Sequence, residues 1–239
     1  MLKLTAPRVL LTCALALAAC ASARAQTWQD KWYLNANLGF HLYAPTVTET
    51  LTPVIYAERA SVVTTNAVGF GMIPIDVGGG IHVWRNLGIG GAYTQFSATS
   101  TGTVDARVPH PILFNQPRFA TAPVELTHEE WAIHMLGVYV LPLTERIDLA
   151  VSGGPVLMNV KDDHVSAIQI AEESPTFATV TIAKAVVTTT DTRKWSAAFG
   201  GDLTYFLTPM VGVGVAVRVV PGSDAGHLQF GFGARLRFR

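Results

Sequence analysis

Seven charged residues lie within apolar or small-residue segments of this 239-residue chain, and they are the first candidates for chemistry. An isolated charge at low dielectric is costly, so carboxylates and guanidinium groups there must pair. Such groups can form a structural ion-pair network, a polar channel or a catalytic site. Interior charge pairs are more often structural than catalytic, which favours a filled interior. The seven are Asp76, Glu130, Asp148, Asp202, Arg218, Arg235 and Arg237.

Histidines in the same segments raise the question of a metal ion. His128, Glu130 and His134 would share one face of a strand, at spacing i, i+2, i+6. At about 3.3 Å per residue the two histidines are about 20 Å apart, so they cannot share one ion. His128 and Glu130 would need further ligands from a neighbouring strand. We therefore predict no metal centre and no cofactor.

The elements that position these residues are strands, because their side chains alternate with a period of two. The last strand has a purely apolar face, and its other face is small or cationic. The seventh opposes a ladder of valines to glycine, alanine and Arg218. The pattern predicts eight strands: Lys31–Leu42, Ile73–Trp84, Leu87–Ala98, His128–Leu141, Ile147–Met158, Lys194–Leu207, Val211–Val219 and Leu228–Arg239.

One apolar and one polar face per strand fits a closed barrel in a membrane, with the apolar face toward lipid. Each strand has about a dozen residues, near the about 9–11 of a tilted transmembrane strand. An even number of antiparallel strands closes without an unpaired edge. We predict an all-β, closed, eight-stranded antiparallel transmembrane β-barrel. Candidates for its aromatic girdles are Trp32, Trp84, Tyr93, Trp131, Tyr139, Trp195 and Tyr205.

The connections between strands alternate in length. Short turns lie near Arg85, Pro142 and Thr208, and long connections span 43–72, 99–127 and 159–193. Barrels of this kind keep short turns in the periplasm and long loops outside. The third long connection is rich in β-formers and could extend the barrel beyond the membrane for binding by edge pairing. A mobile surface hairpin without a partner is the simpler interpretation.

The N-terminus is predicted to be a secretory signal peptide, residues 1–25, with residues 26–239 as the barrel domain. Lys3 and Arg8 precede an apolar run, and Ala23-Arg24-Ala25 is a small-x-small cleavage site. Lipidation of Cys20 is the alternative. Cleavage after Ala25 would remove both cysteines, and with them disulfides and thiolate chemistry. It would also move the formal charge from 0 to −3 and leave no basic run, which argues against nucleic-acid binding.

The signal, the alternating strands and the aromatic C-terminal strand resemble the small outer-membrane barrels of the OmpA/OmpX-like superfamily. The resemblance implies residence in the outer membrane of a Gram-negative-type bacterium, among lipid and lipopolysaccharide. It also implies recognition of the C-terminal strand by the barrel-assembly machinery, although here Arg239 follows the aromatic Phe238. The segment 108–118 resembles a motif of uncharacterised members, which carries no known activity.

The leading functional hypothesis is a structural or surface-interaction protein of adhesion type, which is not an enzyme. A narrow channel and a lipid-modifying enzyme are the alternatives. Lipid A deacylases resemble serine esterases with a His-x-Ser pair on a strand, and here His164-Val165-Ser166 matches only within a long connection. Strands six and seven are hairpin neighbours, so Arg218 with Asp202 is the first-choice ion pair within the barrel.

Overall fold

The computed structural model describes residues 27–41, 46–67, 73–113, 115–221 and 227–239, so the predicted signal peptide lies outside the described residues. No helix among these residues is long and apolar enough to cross a membrane. The structure consists of strands, which we number in chain order. They are β1 (Trp32–His41), β2 (Thr46–Leu51), β3 (Val54–Ile55), β4 (Glu58–Arg59), β5 (Ser61–Ala67), β6 (Ile75–Trp84), β7 (Leu87–Val108), β8 (Arg118–Pro142), β9 (Ile147–Glu172), β10 (Val180–Phe206), β11 (Val211–Val220) and β12 (His227–Phe238).

Eight of these strands close into a ring. The hydrogen-bonded order is β6-β1-β12-β11-β10-β9-β8-β7, and β7 pairs with β6 to complete the circle. Every pairing in the ring is antiparallel, including that of the first strand with the last. The predicted closed, eight-stranded antiparallel barrel is confirmed.

The outer surface of the ring carries a band of exposed apolar side chains, as a lipid-facing surface requires. Aromatic residues mark both rims of the band on β8, with Tyr139 near the short turns and Trp131 farther along the strand. The segment between them covers about 20 Å of the membrane normal, at about 3.3 Å per residue and a tilt of about 40°. Aromatic residues that stay largely exposed on this surface include Trp32, Trp84, Tyr93, Trp195 and Tyr205.

Four strands continue well past the predicted membrane segments. β7 and β9 end at Val108 and Glu172, and β8 and β10 begin at Arg118 and Val180. The predictions ended these strands where their outward apolar residues ended, whereas hydrogen bonding continues without a break between β7 and β8. We call the described residues of 46–67, 96–130 and 160–194 the distal lobe. Because it lies opposite the short turns, it is on the extracellular side.

The distal lobe contains a four-stranded sheet in the order β2-β5-β7-β8 and the β9-β10 hairpin, which pairs with β8 in the lobe only from His128 to Glu130. Its core is apolar and separate from the polar interior of the barrel. Partly buried Leu51 and Ile55, from the first long connection, pack against this core. The lobe is therefore a folded body on the barrel. Its buried residues are Val62, Val104, Ala106, Val108, Ala120, Val124, Leu126, Val165 and Val180.

Candidate functional site

Asp76 is the hub of the polar network in the barrel. Its carboxylate forms an ion pair with Arg218, which reaches it across the lumen. Asn37 Nδ2 and Thr94 Oγ1 each donate a hydrogen bond of 2.9 Å to the same carboxylate. His134 Nε2 lies 3.0 Å from Thr94 Oγ1, and because that hydroxyl donates to Asp76, the ring nitrogen must be the donor. The buried carboxylate thus has an ion pair and two hydrogen bonds, as its burial requires.

The other two arginines also have carboxylate partners. Arg235 Nη2 lies 3.8 Å from Asp202 Oδ2, and its guanidinium lies over the Tyr33 ring at 4.7 Å. Arg237 Nη1 lies 3.5 Å from Asp148 Oδ2. Arg237 Nε also donates a 2.8 Å hydrogen bond to a turn carbonyl at residue 209. All three arginines therefore face charge of opposite sign in a low-dielectric interior.

The first-choice pair, Arg218 with Asp202, is corrected by the strand register. Gly200 is opposite Arg218, and Ala216 is opposite Asp202, so the two charges are offset by two residues on neighbouring strands. With no side chain at Gly200, Arg218 extends across the lumen to Asp76. The carboxylate of Asp202 is instead paired with Arg235 of β12. Sequence adjacency of two strands did not predict which lumen charges meet across the barrel.

Glu130 and His128 stand at the upper end of this network, where the barrel passes into the distal lobe. His128 forms an ion pair with Asp162 and lies 3.8 Å from Glu130, and its ring stacks on Phe96 at 5.4 Å. Burial lowers the pKa of His128, but the hydrogen bonds and charges of Asp162 and Glu130 outweigh it and raise that pKa to about 9. The imidazolium is therefore a fixed charge at neutral pH. Among the described residues no group of three His, Cys, Asp or Glu is placed to hold a metal ion.

Trp28, a residue that precedes the first predicted strand, packs inside the periplasmic end of the barrel. Only 3% of Trp28 is exposed. Its Nε1 donates to Asp30 at 3.1 Å, and its backbone amide donates to Asn86 at 3.2 Å. The indole lies on Gly88, where a Cβ would be 2.8 Å from the ring, so the site needs glycine. An aromatic residue next to a barrel strand was the one signal for this packing in the sequence.

The lumen around Arg218 and Arg235 has little free space. A cavity of about 770 Å³ opens at the periplasmic end, and its lining includes Trp28, Asp148 and Arg237. Two further cavities, one beside Arg218 and one beside Arg235, each have a volume of about 10 Å³. Such a volume holds about one water molecule. Side chains therefore fill the interior at the level of Arg218 and Arg235, as an eight-stranded barrel of this width allows.

The upper half of β10 is an open sheet edge. β10 pairs with β9 along its whole length, but its pairing with β11 begins only at Phe199. No strand among the described residues pairs with the outer edge of β10 from Val180 to Ala198. Residues 187–193 are exposed on both faces of the strand. Unpaired backbone groups on such an edge are a template for another strand.

Arg118 ties the three hairpins at the far end of the lobe together. It is 8% exposed and forms an ion pair with Glu172. Its guanidinium donates to the carbonyls of residue 109, at 2.7 Å, and Phe177, at 3.1 Å. The Tyr56 hydroxyl donates to Glu172, and this hydrogen bond raises the pKa of Tyr56. These charged residues inside an apolar lobe were not predicted, because the sequence was interpreted there as loop.

His164 and Ser166 lie on β9 in the distal lobe, not in a loop. The Ser166 hydroxyl lies 2.7 Å from the Thr188 hydroxyl and 3.2 Å from the carbonyl of Val186. His164 Nδ1 lies 3.2 Å from the Thr190 hydroxyl. Both side chains therefore bond across to β10, and neither contact is the serine–histidine hydrogen bond that nucleophilic catalysis requires.

A closed ring of eight antiparallel strands, an apolar outer band and a polar filled interior define a small outer-membrane β-barrel protein. No family model and no curated protein matches the chain. Among solved structures it is similar to Ail, the attachment invasion locus protein of Yersinia pestis, with 9% identity, a TM-score of 0.46, and coverage of 88% of this chain and 100% of that chain.

Two further outer-membrane proteins are similar to the chain. The N-terminal β-barrel domain of Pseudomonas aeruginosa OprF has 11% identity and a TM-score of 0.41, with 89% of this chain and 100% of that chain covered. The outer membrane protease OmpT from Escherichia coli has 10% identity and a TM-score of 0.38, with 89% of this chain and 98% of that chain covered. The class itself follows from the closure, the apolar band and the polar lumen of this chain.

Proposed function

We propose that the protein is a surface-interaction protein of adhesion type, without catalytic activity, and that its distal lobe binds an extended polypeptide along β10. The observation that carries the proposal is the unpaired outer edge of β10, from Val180 to Ala198. At about 3.3 Å per residue this edge extends roughly 60 Å along the strand. Strand addition to such an edge supplies backbone hydrogen bonds for affinity and side-chain contacts for specificity.

One part of the edge suits a partner strand best. The pairing of β10 with β9 is irregular between Ile182 and Lys184 and again between Val186 and Val187. Bulges of this kind twist an edge away from a partner and protect it. From Val187 to Lys194 the register is regular, and four of these residues are exposed threonines with high β-propensity. We therefore place the binding segment at 187–194.

The filled lumen supports this role over conduction. Trp28 packs inside the periplasmic end, and the Asp76–Arg218 and Asp202–Arg235 pairs occupy a part of the lumen whose cavities are only about 10 Å³ each. The barrel then serves as a membrane anchor that holds the distal lobe outside the cell. For the barrel itself, we propose contacts with lipopolysaccharide and with the barrel-assembly machinery.

The test is a binding titration on the full chain in lipid nanodiscs. The probe is a fluorescein-labelled peptide with the sequence of residues 163–171, the β9 segment that already pairs with β10. We expect saturable binding, weakened at least tenfold in Thr190→Lys/Thr192→Lys, because lysine on an edge strand opposes pairing. The same peptide with two internal prolines should not bind.

The matched control is Thr101→Lys/Thr103→Lys on β7. Both threonines are exposed, and on this strand Thr101 pairs with Glu125 of β8, while Thr103 has partners on both sides, Thr65 of β5 and Pro123 of β8. This variant should bind the peptide like the wild type. Equal loss in both variants, or no loss in the β10 variant, would mean that the edge is not the binding site.

A further inference from the structure

Five large apolar or aromatic side chains are exposed among the polar residues at the end of the lobe farthest from the membrane. We call residues 53–60, 109–113, 115–119 and 172–179 the distal tip. Val54, Ile112 and Phe119 are 70%, 63% and 73% exposed, and Tyr56 and Leu113 are nearly half exposed. Clustered exposed apolar side chains of this size mark interaction sites in soluble surroundings.

The distal tip is a single rigid unit, not three independent loops. Arg118 bonds to the carbonyls of residue 109 and Phe177, and its partner Glu172 accepts the Tyr56 hydroxyl. One buried ion pair therefore joins all three hairpins. A preorganised surface of this kind loses less conformational entropy when it binds.

Backbone strain is concentrated in the same place. Of the five non-glycine residues with positive φ among the described residues, four lie in the distal tip: Tyr56, Ala57, Asn115 and Phe177. Such conformations are costly and persist only where the surroundings enforce them. Two of these residues are held directly: Tyr56 by its hydrogen bond to Glu172, and Phe177 by the hydrogen bond that its carbonyl accepts from Arg118.

The charge of the distal tip limits what can bind there. It has two arginines, three glutamates and no lysine, a net charge of −1, and Arg118 and Glu172 neutralise each other internally. Binding to an anionic membrane surface relies on an excess of lysine and arginine, which is missing here. A nearly neutral apolar tip, with Glu58 beside Arg59, is instead complementary to itself.

We propose that the distal tip binds the distal tip of a second copy of this chain that is anchored in an opposing membrane. The proposal rests on the surface-interaction role proposed above but uses a different surface from the β10 edge. Two copies in one membrane point the same way, so their tips cannot meet face to face. Copies in opposing membranes meet head to head about a two-fold axis, which pairs each patch with itself.

One such contact is weak, and many together are strong. The five partly exposed side chains form a patch on the order of 500 Å² per copy, within the about 300–600 Å² of typical functional patches. A stable interface covers about 800 Å² per partner. A single tip pair is therefore transient, while many pairs between two membranes add up through their high effective concentration.

The test uses the full chain in two populations of phosphatidylcholine vesicles, one with a donor dye and one with an acceptor dye. We expect energy transfer and growth in light scattering when both populations carry the protein. Mixing protein-bearing vesicles with protein-free vesicles of the same lipid should give neither signal. Equal clustering with protein-free vesicles would mean that the tip binds bilayers and would overturn the proposal.

Two matched variants separate the tip from other exposed apolar residues. Ile112→Ser/Phe119→Ser should slow clustering at least tenfold. The control Val47→Ser, at an exposed lobe position outside both the tip and the β10 segment, should cluster like the wild type. Heat-modifiable gel migration shows that each variant is folded. Absent clustering of the folded wild type, or undiminished clustering of the tip variant, would overturn the proposal.

The β10 variant Thr190→Lys/Thr192→Lys distinguishes this inference from the proposed function. It should lose peptide binding and keep vesicle clustering. If wild-type protein fails to bind the peptide but its vesicles still cluster through the tip, strand addition is wrong and the tip contact stands. If the peptide binds and the vesicles do not cluster, the tip contact is wrong and strand addition stands.

Discussion

The barrel and the distal lobe are built on the same strands and have opposite chemistry. In β7 the inward positions are polar or small in the membrane, ending at Thr94, and apolar in the lobe, from Val104 to Val108. The outward positions change the other way, from Ile89 and Tyr93 to Thr101 and Thr103. The alternation of side chains never shifts. The surroundings of the outward face change from lipid to water. The outward residues therefore change from apolar to polar, and the inward residues change from polar to apolar.

The difference between these interiors predicts which substitutions each tolerates. A polar interior inside a lipid-facing barrel must satisfy every charge, because water cannot enter to replace a lost partner. An apolar interior in water must exclude polar groups and is held by burial of apolar area. The predictions below probe this contrast at single sites.

The largest effect is expected at Asp76. Asp76→Asn leaves the Arg218 guanidinium buried without its carboxylate, and arginine cannot lose its proton to compensate. We expect a loss of about 3–5 kcal/mol in the free energy of unfolding, measured by urea titration in lipid vesicles. Arg218→Ala should cost less, since the orphaned Asp76 keeps its bonds to Asn37 and Thr94.

The control for this prediction is Glu125→Gln, an exposed carboxylate on the lobe surface. It should change the unfolding free energy by no more than about 0.5 kcal/mol. A midpoint for Asp76→Asn equal to that of the wild type would mean that the lumen is hydrated at this level.

Two isosteric substitutions on β7 test both interiors at once. Thr94→Val removes the hydroxyl between Asp76 and His134, and Val104→Thr places a hydroxyl in the apolar lobe core. Each should cost about 1–3 kcal/mol, the first from lost hydrogen bonds and the second from an unpaired buried hydroxyl. Urea titration reports the first, and hydrogen exchange of lobe amides reports the second. A neutral result for either would contradict the chemistry assigned to that interior.

Loosening of the distal tip is the next smaller effect. Arg118→Met removes the guanidinium that joins the hairpins while it keeps most of the side-chain volume. Amides at 109–113 and 173–179 should exchange about tenfold faster, which corresponds to about 1.4 kcal/mol of local stability. Amides in the barrel, such as those of β11, should exchange as in the wild type. Faster exchange throughout would show that Arg118 supports the whole chain.

The smallest effect concerns His128, between the two regions. Its pKa of about 9 lies above the ordinary 6.5, so its ion pair stabilises the fold fully below about pH 6.5 and is lost as the pH rises through about 9. An NMR titration of the imidazole should show this midpoint. Asp162→Asn should move the midpoint toward 6.5, and a wild-type midpoint near 6.5 would exclude the ion pair.

The fold of the barrel was predictable from the sequence, while the distal lobe was predictable only in part. Membrane strands show one apolar face, and this signal fixed all eight strands to within a few residues of their periplasmic ends. Above the membrane the outward residues turn polar, from Trp131 to Glu129 and Thr127 on β8, so the pattern predicts long connections there. The β-formers of the third connection indicate an extension, which β9 and β10 show. In the lobe the side chains still alternate, but the apolar residues point inward and the polar residues outward. This inverted pattern indicates the lobe in the sequence, with buried apolar residues at 104, 106, 108, 124 and 126.

The residues that belong to the lumen network were easier to predict than the ion pairs that they form. Alternation alone places Asp76, Asp202 and Arg218 on inward faces. Which charges meet depends on register and on the reach of each side chain across the lumen, and glycines such as Gly200 give no sequence signal for that reach. The packing of Trp28 and the node at Arg118 depend on contacts between residues far apart in the chain. Local patterns do not contain such contacts.

The central claim is that the barrel is a non-conducting membrane anchor and that binding takes place in the distal lobe. Single-molecule conductance of the full chain in planar lipid bilayers tests the non-conducting barrel most directly. We expect no discrete current steps for the wild type, because the side chains around Arg218 and Arg235 leave cavities of only about 10 Å³. Regular current steps of uniform size in the wild type would contradict it and would make the protein a channel.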